Sequence, residues 1–119
     1  MLGNVGDIVN EGSRGADHEL LRRLTAALVN AANPDRIILF GSRARGEGTE
    51  DSDFDIMVVE SRIGDRGEEM VRLSRALRSL GIPVDLLVVS TDQFQYWRDT
   101  PGNVYFEAAS EGLVLYEAA

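Results

Sequence analysis

The chain has 119 residues, which fits a single domain of ordinary size. Its hydrophobic share of 44% and charged share of 27% are typical of a globular protein. The lack of cysteine excludes disulfides and thiolate metal sites. A net charge of −8 argues against the basic surface that a sequence-independent nucleic-acid binder needs. We therefore expect no stable direct binding of nucleic acid, and the acidic charge favours a basic protein partner.

No apolar run approaches the roughly 20 residues of a membrane-spanning helix. The start of the chain also lacks the charged-then-apolar pattern of a secretion signal. These absences predict a cytoplasmic protein without a membrane anchor. Residues 1–14 are rich in glycine and asparagine and show no sustained period. We expect them to form a flexible lead-in to a single domain over residues 15–119.

Helix and strand patterns alternate along the rest of the chain. The predicted elements are, in order, a helix from Asp17 to Asn33, a strand over Arg36–Phe40, a strand over Phe54–Val59, a helix over Gly64–Leu80, a strand over Val84–Val89, a short helix from Ser90 to Trp97, a helix over Val104–Glu111, and a strand or extended tail over Leu113–Tyr116. This alternation predicts an α/β or α+β fold with one β-sheet packed by helices.

The second strand is apolar on both faces, because Phe54, Ile56 and Val58 oppose Met57 and Val59. Strands of this kind are usually covered on both sides. Because only about four helices are available, we expect a partner to close part of one face.

The short helix carries three aromatic residues. We expect Phe94, Tyr96 and Trp97 to pack it onto the sheet.

Three aspartates are the candidate catalytic residues. Strand alternation puts Asp53 and Asp55 on the same face, where two carboxylates repel each other unless a cation lies between them. Such hard oxygen ligands suit Mg²⁺, which takes the rest of its shell from water and substrate phosphates. Asp85 begins another strand and would complete a two-metal phosphoryl-transfer site. An isolated Asp-x-Asp, by contrast, is common and fits solvated strand ends equally well.

The segment ahead of these aspartates strengthens the interpretation. Gly41 and Ser42 directly follow a strand, and we expect them to open a turn and then a short helix. Glycine lets a backbone approach a phosphate, and serine adds a hydroxyl beside free N–H groups. A Gly-Ser pair alone is usually just a turn. Here ten residues separate Ser42 from Asp53, in the segment GSRARGEGTEDSDFD.

This segment resembles the GS-x10-DxD motif of the DNA polymerase beta-like nucleotidyltransferase superfamily. The chain is most similar to the minimal nucleotidyltransferases, which are often paired with a HEPN-domain protein as antitoxin and toxin. The resemblance covers about residues 19–117, including the strand VDLLVV and the closing EGLVLYE. It implies a polymerase beta palm-like fold with one mixed sheet.

The resemblance also implies roles for individual residues. Gly41 and Ser42 would bind the phosphates of ATP or another NTP. Asp53 and Asp55 would ligate two Mg²⁺ ions, in whose place Mn²⁺ is also compatible. Asp85 would ligate one metal ion and help to deprotonate the attacking hydroxyl.

Arg43 and Arg45 lie in the same loop and are candidates for contact with phosphate or acceptor. Solvated loop arginines are an equally good interpretation.

The leading functional hypothesis is transfer of AMP from ATP to a hydroxyl of a protein partner. Few residues follow Asp85, so we expect the acceptor to dock on the catalytic core or to belong to a bound partner. The resemblance favours an antitoxin that modifies and neutralises a HEPN ribonuclease toxin. The alternatives are an antitoxin that acts by steric occlusion and a stand-alone transferase for a small molecule. A homo-oligomer is compatible with each of them.

Overall fold

The structure is a computed structural model that describes residues 15–119, with side chains from His18 onward. The lead-in expected over residues 1–14 lies outside this range. The elements are, in chain order, α1 (Gly15–Ala32), β1 (Arg36–Phe40), β2 (Phe54–Glu60), α2 (Arg66–Arg78), β3 (Val84–Ser90), α3 (Thr91–Trp97), α4 (Val104–Glu111) and β4 (Leu113–Glu117). The predicted order of helices and strands is confirmed. None of the helices described is long and apolar enough to cross a membrane.

The strands form one mixed sheet in the order β3-β2-β1-β4. β2 and β3 are parallel, as strands joined through a crossover helix must be, and here the crossover is α2. β1 pairs antiparallel with both β2 and β4. The expected mixed α/β sheet packed by helices is therefore confirmed.

Alternation along β2 divides the core into two layers. Phe54, Ile56 and Val58 belong to the cluster formed with α1 and α2, whereas Met57 and Val59 belong to the cluster on the opposite face with α3 and α4. Each of these five side chains is at most 3% exposed. Helices of this chain therefore cover the β2 side chains on both faces, without the partner expected for one of them.

The short helix α3 is capped as predicted, because the Ser90 hydroxyl accepts the N–H of Gln93 at 3.1 Å. Its aromatic residues do not share one environment. Phe94 is 1% exposed, but Tyr96 is 74% and Trp97 41% exposed. The prediction that all three pack onto the sheet is wrong for Tyr96 and Trp97. A helix of only seven residues buries one face, and Tyr96 lies two residues from Phe94, on the opposite side.

The C-terminal end of β2 holds a buried carboxyl group. Glu60 is 6% exposed, and its Oε2 has no hydrogen-bond partner within residues 18–119. Burial, followed by the neighbouring Glu69, raises the pKa of Glu60 to about 8. Arg72 donates to both Glu69 oxygens, at 3.0 and 2.7 Å, and lowers the pKa of Glu69. Glu60 is therefore predominantly protonated at neutral pH.

The raised pKa of Glu60 predicts a pH dependence of stability. An unfolded glutamate has a pKa of about 4.3, so the native state binds more protons between that pH and the folded pKa of about 8. The free energy of unfolding should fall across this window, by at most about 1.4 kcal/mol per pH unit from this group. The lowered pKa of Glu69 acts at more acidic pH, where its stabilisation is lost as pH falls.

Urea unfolding of wild type and Glu60→Gln at several pH values from 5 to 8 tests this. The variant should have a flatter pH profile and should gain on wild type as pH rises. Glu50→Gln, which neutralises an exposed glutamate, is the control and should keep the wild-type profile. Parallel profiles for wild type and Glu60→Gln would contradict the assignment of the proton to Glu60.

Candidate functional site

Two of the predicted acids are aligned across neighbouring strands. Asp55 on β2 is the register partner of Asp85 on β3, and neighbouring strands lie about 4.8 Å apart. Alternation puts both on the face that Met57 and Leu87 share, which α3 and α4 cover. Asp53 lies just ahead of β2 and is exposed.

The electrostatics of Asp55 show that the acids act on one another. Burial raises the pKa of Asp55, and the charges of Asp85 and then Asp53 raise it further. Glu107 on α4 adds to this effect, whereas Arg45 lowers the pKa. Four carboxyl groups thus share a small region in which Arg45 partly offsets their charge, an arrangement that a bound cation would relieve.

Gly41 makes this arrangement sterically possible. Its φ of +77° lies in the left-handed region, which residues with a side chain rarely adopt. A Cβ built on Gly41 would also overlap the Oδ2 atom of Asp55 and lie 2.9 Å from its Cγ. The backbone after β1 therefore lies directly against a candidate catalytic carboxylate, and only glycine fits there.

The loop after Gly41 forms consecutive turns, so the short helix expected there is wrong. The N–H groups of Ala44 and Arg45 both donate to the Gly41 carbonyl, at 3.1 and 3.2 Å, and Glu47 N–H donates to the Ser42 carbonyl at 2.9 Å. The turn ends at Gly46, whose φ of +77° lies outside the helical range, so the loop does not continue into a helix.

Arg43 is engaged with the far end of this loop. Its guanidinium donates to the carbonyls of Ser52 at 2.9 Å and Glu50 at 3.3 Å, and it lies 4.1 Å from the centre of the Phe54 ring. These contacts tie the loop to the start of β2. A role for Arg43 in nucleotide binding stays a prediction, whereas its contacts describe a structural role.

Most of the predicted site residues surround one pocket of about 660 Å³. Five of the residues that line it were predicted from the sequence, namely Gly41, Ser42, Arg45, Asp55 and Asp85. The remaining lining residues are Phe40, Met70, Leu86, Leu87, Val104 and Glu107. The structure thus gathers most of the predicted site around one cavity, with Asp53 acting on it through charge and Arg43 outside its lining.

Glu107 is a pocket residue that the sequence reasoning missed. It is brought to the site by α4, and its Oε2 lies 3.2 Å from Nη1 of Arg45. Arg45 also donates to Glu47 at 3.0 Å and lies 3.5 Å from Glu111, and these carboxylates raise its pKa. The spacing of Glu107 and Glu111 by four residues was the available signal, but only the tertiary fold reveals their common partner.

The donor set fits a hard divalent cation. The carboxylates supply only oxygen ligands, and Asp55 and Asp85 are paired in register. Within the described residues, no three histidine, cysteine, aspartate or glutamate side chains are placed to hold a metal ion by themselves. Mg²⁺ commonly takes one or two carboxylates and completes its shell with water and substrate phosphates. The site therefore fits a cation that arrives with a nucleotide.

Residues 22–119 match the sequence profile of the protein family described as "Polymerase beta, Nucleotidyltransferase". The chain belongs to this nucleotidyltransferase family. The match includes the Gly41 loop and all three candidate aspartates. The protein is thus a nucleotidyltransferase, and it uses an NTP as substrate as members of this family do.

Two proteins of Methanocaldococcus jannaschii, both provisionally named protein adenylyltransferases, are similar in sequence to this nucleotidyltransferase. MJ1379 is 39% identical over 71 residues, which cover 58% of this chain and 71% of MJ1379. MJ0604 is 35% identical over 83 residues, which cover 68% of this chain and 77% of MJ0604.

Solved structures share the fold at lower identity. A chain of a toxin–antitoxin crystallised with AMP-PNP has a TM-score of 0.60 at 19% identity, covering 82% of this nucleotidyltransferase and 73% of that chain. A protein of Sulfolobus solfataricus, provisionally named a nucleotidyltransferase, has a TM-score of 0.58 at 19% identity. The match covers 91% of this chain and 93% of that protein's chain. At these identities the likeness establishes the fold, and it confirms the expected nucleotidyltransferase architecture.

The contact between Gly41 and Asp55 predicts how this nucleotidyltransferase responds to one added methyl group. Gly41→Ala should reduce nucleotide transfer severely, because the new Cβ displaces the Asp55 carboxylate. Gly46 is a matched control, since it has the same φ of +77° but nothing within 4 Å of an added Cβ. Both substitutions should destabilise the fold by about 1 kcal/mol through backbone strain.

Thermal unfolding and the rate of pyrophosphate release distinguish these effects. Gly46→Ala should lose stability but keep its rate at a temperature where it is folded. If the two variants lost transfer rate equally, the contact with Asp55 would have no specific role.

Proposed function

We propose that this nucleotidyltransferase transfers AMP from ATP to a hydroxyl of a partner protein, and that it is the antitoxin of a HEPN ribonuclease toxin. The observation that carries the proposal is the in-register pair of Asp55 and Asp85 beside the Gly41 loop. A carboxylate pair next to a glycine turn and the Ser42 hydroxyl suits phosphoryl transfer, which depends on charge neutralisation and positioning.

The residues of the pocket have separate tasks in the proposed reaction. The Ser42 hydroxyl binds the triphosphate, which Gly41 allows to approach the backbone closely. Asp85 accepts the proton of the acceptor hydroxyl. The hydroxyl oxygen forms a bond to the α-phosphorus, the bond from that phosphorus to the bridging oxygen breaks, and pyrophosphate leaves.

The same acids would hold the metal. Asp53 and Asp55 would ligate two Mg²⁺ ions, or Mn²⁺, and Asp85 one of them. These ions would neutralise the phosphate charge and make the acceptor hydroxyl more acidic. The raised pKa of Asp55 supports this assignment, because a carboxyl among like charges is stabilised in its ionised form by a cation.

Three further observations support a protein acceptor. The relatives MJ1379 and MJ0604 are provisionally named protein adenylyltransferases. Structures of the same fold come from toxin–antitoxin complexes, one of them with AMP-PNP and another named MntA–HpeT, at a TM-score of 0.58. The net charge of −8 suits a basic partner such as an RNA-binding protein.

Intact-mass measurement tests AMP transfer directly. The chain is incubated with ATP, Mg²⁺ and a HEPN protein from the same operon, and the partner should gain the mass of AMP. Asp85→Asn should lower the rate by about 10²–10⁴-fold, the usual contribution of a positioned acid or base. Asp92→Asn, an exposed aspartate on α3, is the matched control and should keep the wild-type rate. If no partner protein gained AMP, the protein-acceptor proposal would fail.

Steric occlusion of the toxin is the second candidate. The exposed Tyr96 and Trp97 favour it, since these residue types are enriched where proteins bind one another tightly. Toxin-expressing cells supplied with the Asp53→Ala, Asp55→Ala double variant distinguish the two. Under the leading proposal protection is lost, and under occlusion it is retained. Transfer to a small molecule without any protein partner would instead identify a stand-alone transferase.

A further inference from the structure

Arg45 connects the loop after β1 to helix α4. Its Nε donates to Glu47 at 3.0 Å, and its Nη1 lies 3.2 Å from Glu107 and 3.5 Å from Glu111. Glu107 and Glu111 are four residues apart, so both carboxylates lie on the same side of α4. One guanidinium therefore joins two segments that are 62 residues apart in the sequence.

The guanidinium keeps donors to spare. Arginine has five N–H groups, one on Nε and two on each terminal nitrogen. The carboxylates occupy Nε and Nη1, and Nη2 makes no hydrogen bond within residues 18–119. Because Arg45 lines the pocket with Ser42 and Asp55, these two donors are available to a bound phosphate.

We propose that Glu107 is a positioning residue, which holds Arg45 at the pocket so that Nη2 binds a phosphate of the nucleotide. An arginine that is already ordered loses less conformational freedom when the ligand binds. The inference rests on the proposed function in one respect, that this pocket binds the NTP. It adds a reason for the position of Glu107 beside three catalytic acids, where its negative charge by itself would repel phosphate.

Neutralising Glu107 has two opposing effects. Glu107→Gln weakens the hold of α4 on Arg45, which Glu47 and Glu111 still contact, and this loss of order weakens nucleotide binding. It also removes a negative charge from the pocket, which strengthens binding. The first effect requires Arg45 and the second does not. The two can therefore be separated in a background that lacks the Arg45 guanidinium.

The experiment is a double-mutant cycle on nucleotide affinity. The Kd of α,β-methylene ATP, which cannot be cleaved between its α and β phosphates, is measured with Mg²⁺ by calorimetry for wild type, Glu107→Gln, Arg45→Gln and the double variant. With Arg45 present, Glu107→Gln should weaken binding about threefold, the size expected for an ion pair as exposed as this one. With Arg45→Gln it should leave the affinity unchanged or increase it.

Two controls separate positioning from general effects. Glu19→Gln removes the same charge from an exposed glutamate that pairs with Arg22 and Arg23 on α1, and it should leave the Kd unchanged. Glu107→Asp keeps the charge and should retain part of the coupling to Arg45.

The outcomes are distinct. An equal effect of Glu107→Gln in both backgrounds overturns the inference. Tighter binding only when Arg45 is present also overturns it, because the carboxylate would then compete with phosphate for the arginine. If wild type bound no nucleotide, the proposed function would fail along with the inference. If the coupling were present but no partner gained AMP, only the acceptor would be wrong.

Discussion

The repulsion between Asp55 and Asp85 is the constraint around which the site is organised. Two carboxylates near the start of adjacent parallel strands destabilise that end of the sheet, and burial of Asp55 adds to this. The strands that carry them compensate, because Met57 and Val59 further along β2 are almost fully buried. The apolar part of each strand thus stabilises an acidic end that would be unfavourable alone and that a bound cation would relieve.

The loop after β1 is the second half of the same arrangement. Gly41 places its backbone against Asp55, and turn hydrogen bonds from Ala44 and Arg45 keep the loop closed. The two ends of the loop are fixed by different arginines, with Arg43 holding the segment before β2 and Arg45 reaching α4. The proposed nucleotide-binding residues and metal ligands therefore come from separate parts of the chain but lie next to each other, as a reaction based on positioning requires.

Much of this could be predicted from the sequence. The apolar runs of β1, β2 and β3 were recognised because they lie between strong turn residues, and the fixed spacing of Gly41-Ser42 and Asp53 indicated the site. The register of Asp55 and Asp85 could not be derived, since the pairing of two strands depends on tertiary packing. Glu107 was missed for the same reason. Tyr96 was misplaced because an aromatic residue indicates burial on average, whereas a seven-residue helix has only one face to bury.

The alternation of β2 links catalysis to folding. Side chains on a strand alternate strictly, so a shift of one residue in the pairing of β2 would turn Asp55 toward α1 and α2 and bring Phe54 and Ile56 to the pocket side. The same register that separates the two apolar layers thus aims the carboxylate. With Asp55 in its proposed role, chains with β2 misaligned would be both poorly packed and inactive, so transfer activity would also report the fraction of chains that have folded in the correct register.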